Sequence, residues 1–172
     1  LKNNRIFETL KLNKATRKTI ESAKLIIIDE ISMVRADMID FIDKVLRVYS
    51  RNMREPFGGK QMLFVGDLYQ LEPVVTSDQK QILARAYPNQ FFFSANVFKE
   101  MQLVTIELLK VYRQNDLNFI KILDNIRVDN VTDYDLSELN KRCFPNYKPG
   151  NDEFVMTVAT KKNTVDFINE NR

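Results

Sequence analysis

Asp29 and Glu30 stand directly after Leu25-Ile26-Ile27-Ile28. Four large aliphatics in a row show no alternation, the pattern of a strand buried on both faces in a parallel sheet. An acid pair at the end of such a strand lies on the carboxyl edge, where open α/β sheets bind ligands. There an Asp can hold Mg²⁺ through water, and the next residue, a Glu, can polarise a water for attack on phosphorus. Two charges that merely solubilise a strand end are the plainer alternative. Gly66-Asp67-Leu68-Tyr69-Gln70 closes a second apolar run, Met62-Leu63-Phe64-Val65. Gly66 permits a sharp turn or a close approach. The Gln70 amide both donates and accepts, which suits a sensor of a terminal phosphate and its attacking water; a turn with a surface Gln fits equally. Arg113 follows an apolar stretch and precedes a polar break. A guanidinium at a domain border can reach across to a phosphate, although a lone surface Arg is commoner.

The elements that must carry these residues can be read from spacing. Asn13 caps an expected helix over Lys14–Ala23, and β-strand residues Leu25–Ile28 follow. Met38, Ile42, Val45, Leu46 and Tyr49 trace one stripe of a helix from about Asp37 to Arg51. Strand, helix and strand with acids at the carboxyl ends make a βαβ unit. Further on, Phe91-Phe92-Phe93 is expected as a short strand, with Ser94 capping a helical turn through Phe98. Leu103–Leu108 is expected as a third strand, and Phe154–Ala159 as a last one before a helix from Thr164. Leu117, Ile120, Leu123 and Ile126 mark one helix; Leu136, Leu139 and Cys143 mark another, with Cys143 in the core. Phe144–Gly150 reads as a loop, and a domain border is expected near Leu109–Tyr112.

Composition narrows the chemistry. The 172 residues are 44% apolar and 28% charged, the balance of a folded domain rather than a disordered tail or a disulfide scaffold. Histidine is absent, which excludes His-based triads, His-ligated zinc and imidazole acid–base catalysis within this sequence. The single cysteine points to a reducing, intracellular setting: cytoplasm in a bacterium, nucleus or mitochondrion in a eukaryote. A formal charge of +3 is compatible with a polyanion partner without requiring one. No apolar run approaches the ~20 residues of a membrane span.

The segments Leu25–Met33, Phe57-Gly58-Gly59-Lys60-Gln61, Gly66–Val74 and Tyr112-Arg113-Gln114 come in one order. Together they resemble the Pif-type branch of the superfamily-one DNA helicases, related to the RecD-like and relaxase-linked helicases. The likeness covers most of Ala15 to Arg127. It implies an α/β fold of the P-loop NTPase (RecA-like) kind, a mostly parallel sheet with flanking helices. Residues 1–110 would be the later part of a first motor domain and 111–172 the beginning of a second. It also implies ATP and Mg²⁺ as cofactors, single-stranded DNA and duplex DNA junctions as partners, no membrane, and 5′-to-3′ movement. By the same resemblance Asp29 binds magnesium, Glu30 activates water, and Gln70 senses the terminal phosphate and couples it to DNA. Asp67 is structural, and Arg113 reaches the terminal phosphate from the second motor domain.

Two departures stand out. Glu72 occupies a place where the family usually has proline, and it is expected to face solvent. The phosphate loop G-x-x-x-x-G-K-[ST] is absent; Phe57-Gly58-Gly59-Lys60 lacks its first glycine, its spacing and its Ser/Thr. The chain is therefore expected to be a middle slice that hydrolyses little or no ATP alone. Phe57, Tyr69, Phe91 and Phe92 are candidates by type for base stacking, and Arg35, Arg51, Arg54 and Lys60 for phosphate contacts. Core packing for the Phe91–Phe93 run and a solvated face for each basic residue remain open. Two other functions stay open: a P-loop ATPase without unwinding activity, and a non-catalytic module that holds single-stranded DNA or a partner on a degenerate motor fold.

Overall fold

Asn13 accepts the Thr16 amide at 2.8 Å and so starts helix α1, Lys14–Ser22. Its far end meets Lys60, whose ammonium donates to the Ala23 carbonyl at 2.6 Å. A cation at a helix C-terminus satisfies carbonyls that have no partner inside the helix. These coordinates are a computed structural model that describes residues 12–147, 150 and 155–170. The chain divides into two compact units, Leu1–Asp129 and Asn130–Arg172.

In the first unit, strand β1 (Leu25–Ile28) pairs in parallel with β2 (Gln61–Phe64), Leu25 opposite Gln61 and Ile28 opposite Phe64. Helix α2, Ala36–Tyr49, connects them, which is the expected βαβ unit. Among the described residues only one face of the pair is covered. Ile26, Ile28, Met62 and Phe64 pack toward the core, whereas Ile27 is 59% exposed. Leu25 and Leu63 are exposed with it. The unbroken aliphatic run concealed an alternation that only packing on one face reveals.

The stripe of α2 is also rotated from the expected one. Ala36, Ile39, Asp43 and Leu46 are its buried positions, and Met38 is exposed. Asp43 takes part because two donors make three contacts with it there. Arg47 Nε lies 2.9 Å from both of its oxygens, and the Phe57 amide donates at 2.6 Å. Arg47 also reaches Glu100 Oε2 at 2.7 Å and the Met53 carbonyl at 3.2 Å. The Asp43 carboxylate, against the cost of burial, raises the Arg47 pKa, with Glu100 adding to it. One turn earlier, Asp40 accepts from the Tyr87 hydroxyl at 2.9 Å and from the Asn96 and Val97 amides at 3.0 and 2.9 Å. Burial and the Asp40 carboxylate push the Tyr87 phenol far above its ordinary range.

Phe57 is fully buried in the tight turn Pro56–Gly59, with a left-handed backbone at φ 52°. That conformation costs an ordinary residue ~1–2 kcal/mol, while burying a phenylalanine returns ~1.5–3 kcal/mol. Its ring packs 6.0 Å from Phe64 and 6.3 Å from Phe98. Phe57 is therefore a core residue and not a stacking platform. Gly58 follows at φ 67°, and a Cβ there would stand 2.6 Å from the Leu46 carbonyl. Only glycine lets this turn lie against α2.

Three expected strands do not form among the described residues. Phe91 makes a single antiparallel bridge to Arg35, and Phe92–Ser94 then turns as a 3-10 helix. The Ser94 hydroxyl donates to Asn89 Oδ1 at 2.6 Å instead of capping a helix. The turn Asn96–Lys99 begins beyond it. Leu103–Leu108 is extended but unpaired. A cleft of about 520 Å³, lined by Met62, Phe64, Met101 and Leu103, separates it from the free edge of β2. A strand without a partner for its amides is not a strand. Val155–Ala159 shows no strand either, and Phe154 lies outside the described residues.

Thr76 and Gln79 form a capping box for the short helix α3, Ser77–Leu83. Helix α4, Leu117–Arg127, is capped by Asp116 and buries Ile122 rather than the expected stripe. The expected border at Leu109–Tyr112 falls in the extended segment that leads to it. The second unit holds α5, Asp133–Asn140, started by a Thr132–Asp135 capping box, and α6, Lys162–Glu170. Cys143 is exposed beyond α5 and is not a core residue, because the helix ends at Asn140.

Candidate functional site

Parallel pairing carries the two strands past their formal ends. The Val65 amide donates to the Ile28 carbonyl at 2.9 Å, and the Ile31 amide to the Val65 carbonyl at 3.0 Å. This clamp brings the Asp29–Glu30 corner and the Gly66–Asp67 corner to the same edge. Gly66 suits the closeness of the two turns. A Cβ at Gly66 would meet the Ile31 amide nitrogen and Cγ2, each at 3.0 Å. The sequence placed both acidic corners correctly at the carboxyl edge of a parallel pair.

Asp29 and Glu30 are both exposed. Asp29 Oδ1 accepts the Glu30 amide at 2.9 Å, and Oδ2 has no partner among the described residues. Glu30 itself sits in the left-handed region at φ 51°, ψ 43°. A non-glycine residue there is strained, and such strain gathers where a side chain must be aimed. The turn Ile31–Met33 follows at once and buries Ile31 and Ser32. The Ser32 hydroxyl, buried behind the acids, has no hydrogen-bond partner among the described residues.

Asp67 organises the second corner. Its Oδ1 accepts the Tyr69 amide at 3.0 Å, and its backbone carbonyl accepts the Gln70 amide at 3.1 Å. The Gln70 side-chain amide lies 3.5 Å from Asp67 Oδ2, the outer limit of a hydrogen bond, so it is exposed and lightly held. Arg127, at the end of α4, donates to Asp67 Oδ1 at 3.2 Å. Its guanidinium lies 4.8 Å from the centre of the Tyr69 ring. The Tyr69 amide first, then Arg127 and Gln70, hold the Asp67 carboxyl below its ordinary value, although its partial burial opposes them.

Arg113 lies on the exposed stretch before α4 with no bond partner among the described residues. The structure thus joins Asp29, Glu30, Asp67 and Gln70 along one edge and leaves Arg113 apart on that stretch. Among the described residues no cluster of three metal-ligating side chains occurs. A magnesium ion here would fit as it does at phosphate sites, on one carboxylate with water and phosphate oxygens completing its shell. The unpartnered Asp29 Oδ2 is the oxygen that would take that place. Lys60 and Arg35 are committed elsewhere, Lys60 to the end of α1 and Arg35 to Asp37 at 2.7 Å. Glu72 is exposed, as expected, and accepts from Gln90 at 3.1 Å.

A family model described as PIF1-like helicase matches residues 2–136. The chain belongs to the PIF1-like helicase family. The human ATP-dependent DNA helicase PIF1 is 36% identical over 148 residues, 86% of this chain and 21% of that protein. The ATP-dependent DNA helicase RRM3 of Saccharomyces cerevisiae is 38% identical over 109 residues, 63% of this chain and 14% of that protein. A crystal structure of Pif1 helicase from Bacteroides, in complex with ADP-AlF3 and ssDNA, is 38% identical. It superposes with a TM-score of 0.88 and covers 94% of this chain and 37% of that one. The PIF1-like chain therefore spans about a fifth of the human relative's length. The match carries the P-loop helicase motor fold with it.

Arg127 and Asp43 were missed by sequence reasoning. Asp43 had a signal, since it sits in the middle of the helical arc set by Ala36, Ile39 and Leu46. Arg127 had none, because its partners Asp67 and Tyr69 lie on a distant loop.

Proposed function

We propose that this chain is a central portion of an ATP-dependent DNA helicase, which turns ATP hydrolysis into movement along single-stranded DNA and opening of duplex junctions. The observation that carries this reading is the clamp at one sheet edge, which sets the acid pair Asp29–Glu30 beside the Asp67–Gln70 loop. When bound, a magnesium ion would supply positive charge to offset that on the phosphates. Asp29 would hold that ion through Oδ2, which has no partner among the described residues. Glu30, aimed by its left-handed backbone, accepts a proton from the attacking water. Gln70, exposed and lightly held, swings its amide toward the terminal phosphate. Arg113 has a free guanidinium that can move onto the same phosphate when the next motor domain closes. The phosphate loop would come from elsewhere in the full-length protein, and these 172 residues alone hydrolyse little or no ATP.

The test uses the full-length protein. Phosphate release should rise several-fold on adding single-stranded DNA, and a forked duplex should be separated in an ATP-dependent strand-displacement assay. Binding of single-stranded DNA with neither stimulated turnover nor displacement would establish the non-catalytic binding module instead. Stimulated turnover without displacement would leave an ATPase that does not unwind.

A further inference from the structure

The grip of Arg127 on the Asp67–Gln70 loop has no part in the reaction as described. Arg127 is the last residue of α4. It donates to Asp67 at 3.2 Å and lies over the Tyr69 ring at 4.8 Å. One planar cation therefore holds the loop at its first residue and again at the residue before Gln70. Either contact alone would count for little, since the Arg127 side chain is 43% exposed and Asp67 is 26% exposed. Together they act differently. A guanidinium held over a ring loses freedom, which leaves its donors better placed for the carboxylate. The same carboxylate receives the Tyr69 amide and lies at the limit of reach of the Gln70 side chain. Moving Arg127 therefore disturbs the carboxylate that both of these contacts share.

We propose that Arg127 is a positioning residue for Gln70, setting through Asp67 and Tyr69 the direction in which the Gln70 amide points. This deepens the motor reading above and rests on it. The placement of α4 gives the grip a purpose. The helix starts just after Arg113 and ends just before Asp129, where the first compact unit stops and the backbone turns left-handed at φ 55°. The loop proposed to sense the terminal phosphate is thus tied to the last turn before the chain leaves that unit. A grip made of two exposed, individually weak contacts can let go and re-form with each turnover.

Two measurements on the full-length protein test this. The first is hydrogen exchange over residues 66–72, read without nucleotide. Arg127→Ala should speed exchange at the Tyr69 amide, while Arg127→Lys, which keeps charge but loses the planar fork, should fall between. Unchanged exchange in both variants would overturn the grip itself. The second is DNA-stimulated hydrolysis. Arg127→Ala should lower kcat about tenfold with KM for ATP changed by less than about twofold. In Gln70→Ala, adding Arg127→Ala should cost nothing more, since a positioning residue has nothing left to position. Losses that multiply would overturn the positioning role and leave the motor reading intact. Full turnover in Gln70→Ala would instead remove Gln70 from the motor reading, and this proposal with it.

Discussion

Glu30→Gln in the full-length protein is expected to lower DNA-stimulated phosphate release by ~10²-fold or more, the usual scale of a lost general base. The amide keeps the size and shape of the side chain but takes no proton from water. Single-stranded DNA and nucleotide binding should persist, so the loss should fall on kcat and leave the KM for ATP close to its original value. Single-turnover phosphate release, with binding measured separately by fluorescence anisotropy, separates these effects. Retention of more than about a tenth of the turnover would remove Glu30 from the role of base. Asp29→Asn should differ in kind, since it weakens the hold on the ion. Added magnesium should restore part of its activity and none of that lost in Glu30→Gln.

The second large effect is on stability. Asp43→Ala should destabilise the first unit by ~3 kcal/mol or more, the cost of breaking a buried ion pair from one side. Two groups lose their partner together. The Phe57 amide, on a fully buried residue, has its 2.6 Å acceptor removed. The Arg47 guanidinium, 11% exposed, keeps only Glu100 and the Met53 carbonyl. Against a total stability of ~5–15 kcal/mol, that is a large fraction. Urea unfolding followed by circular dichroism would read it as a lower midpoint. Asp43→Asn should cost less, because its carbonyl oxygen still accepts the Phe57 amide. A shift below ~1 kcal/mol for Asp43→Ala would show that the network holds the turn less firmly than its geometry indicates.

The edge that carries Asp29, Glu30, Asp67 and Gln70 was legible in the sequence because each pair closes an apolar run. Both runs had to be strands of one parallel sheet, and parallel strands end on the same side. What escaped was whatever depended on a partner distant in the chain. Leu103–Leu108 has the residues of a strand, but a strand also needs a neighbour, and its nearest one lies across a cleft. Ile27 has the residue type of a buried position, yet exposure is set by what lies above the sheet and not by the side chain. The stripe expected on α2 ran through Met38, Ile42, Val45, Leu46 and Tyr49 and left out the buried Asp43. Its burial follows from Arg47, one helical turn along, and from the Phe57 amide that it meets. Cys143 looked like the next step of an apolar stripe, but the period stops at Asn140, where α5 ends.

The left-handed backbone at Glu30, φ 51°, has a consequence for how such a protein can change over generations. An ordinary side chain gives up ~1–2 kcal/mol to sit there, and glycine or asparagine gives up less. On the proposed role, neither substitute can take a proton from water. Position 30 therefore pits tolerance of heat against usefulness at a single codon. A laboratory search that rewarded only resistance to unfolding would find its gain there early, and its winners would be sturdy, well-folded and inert.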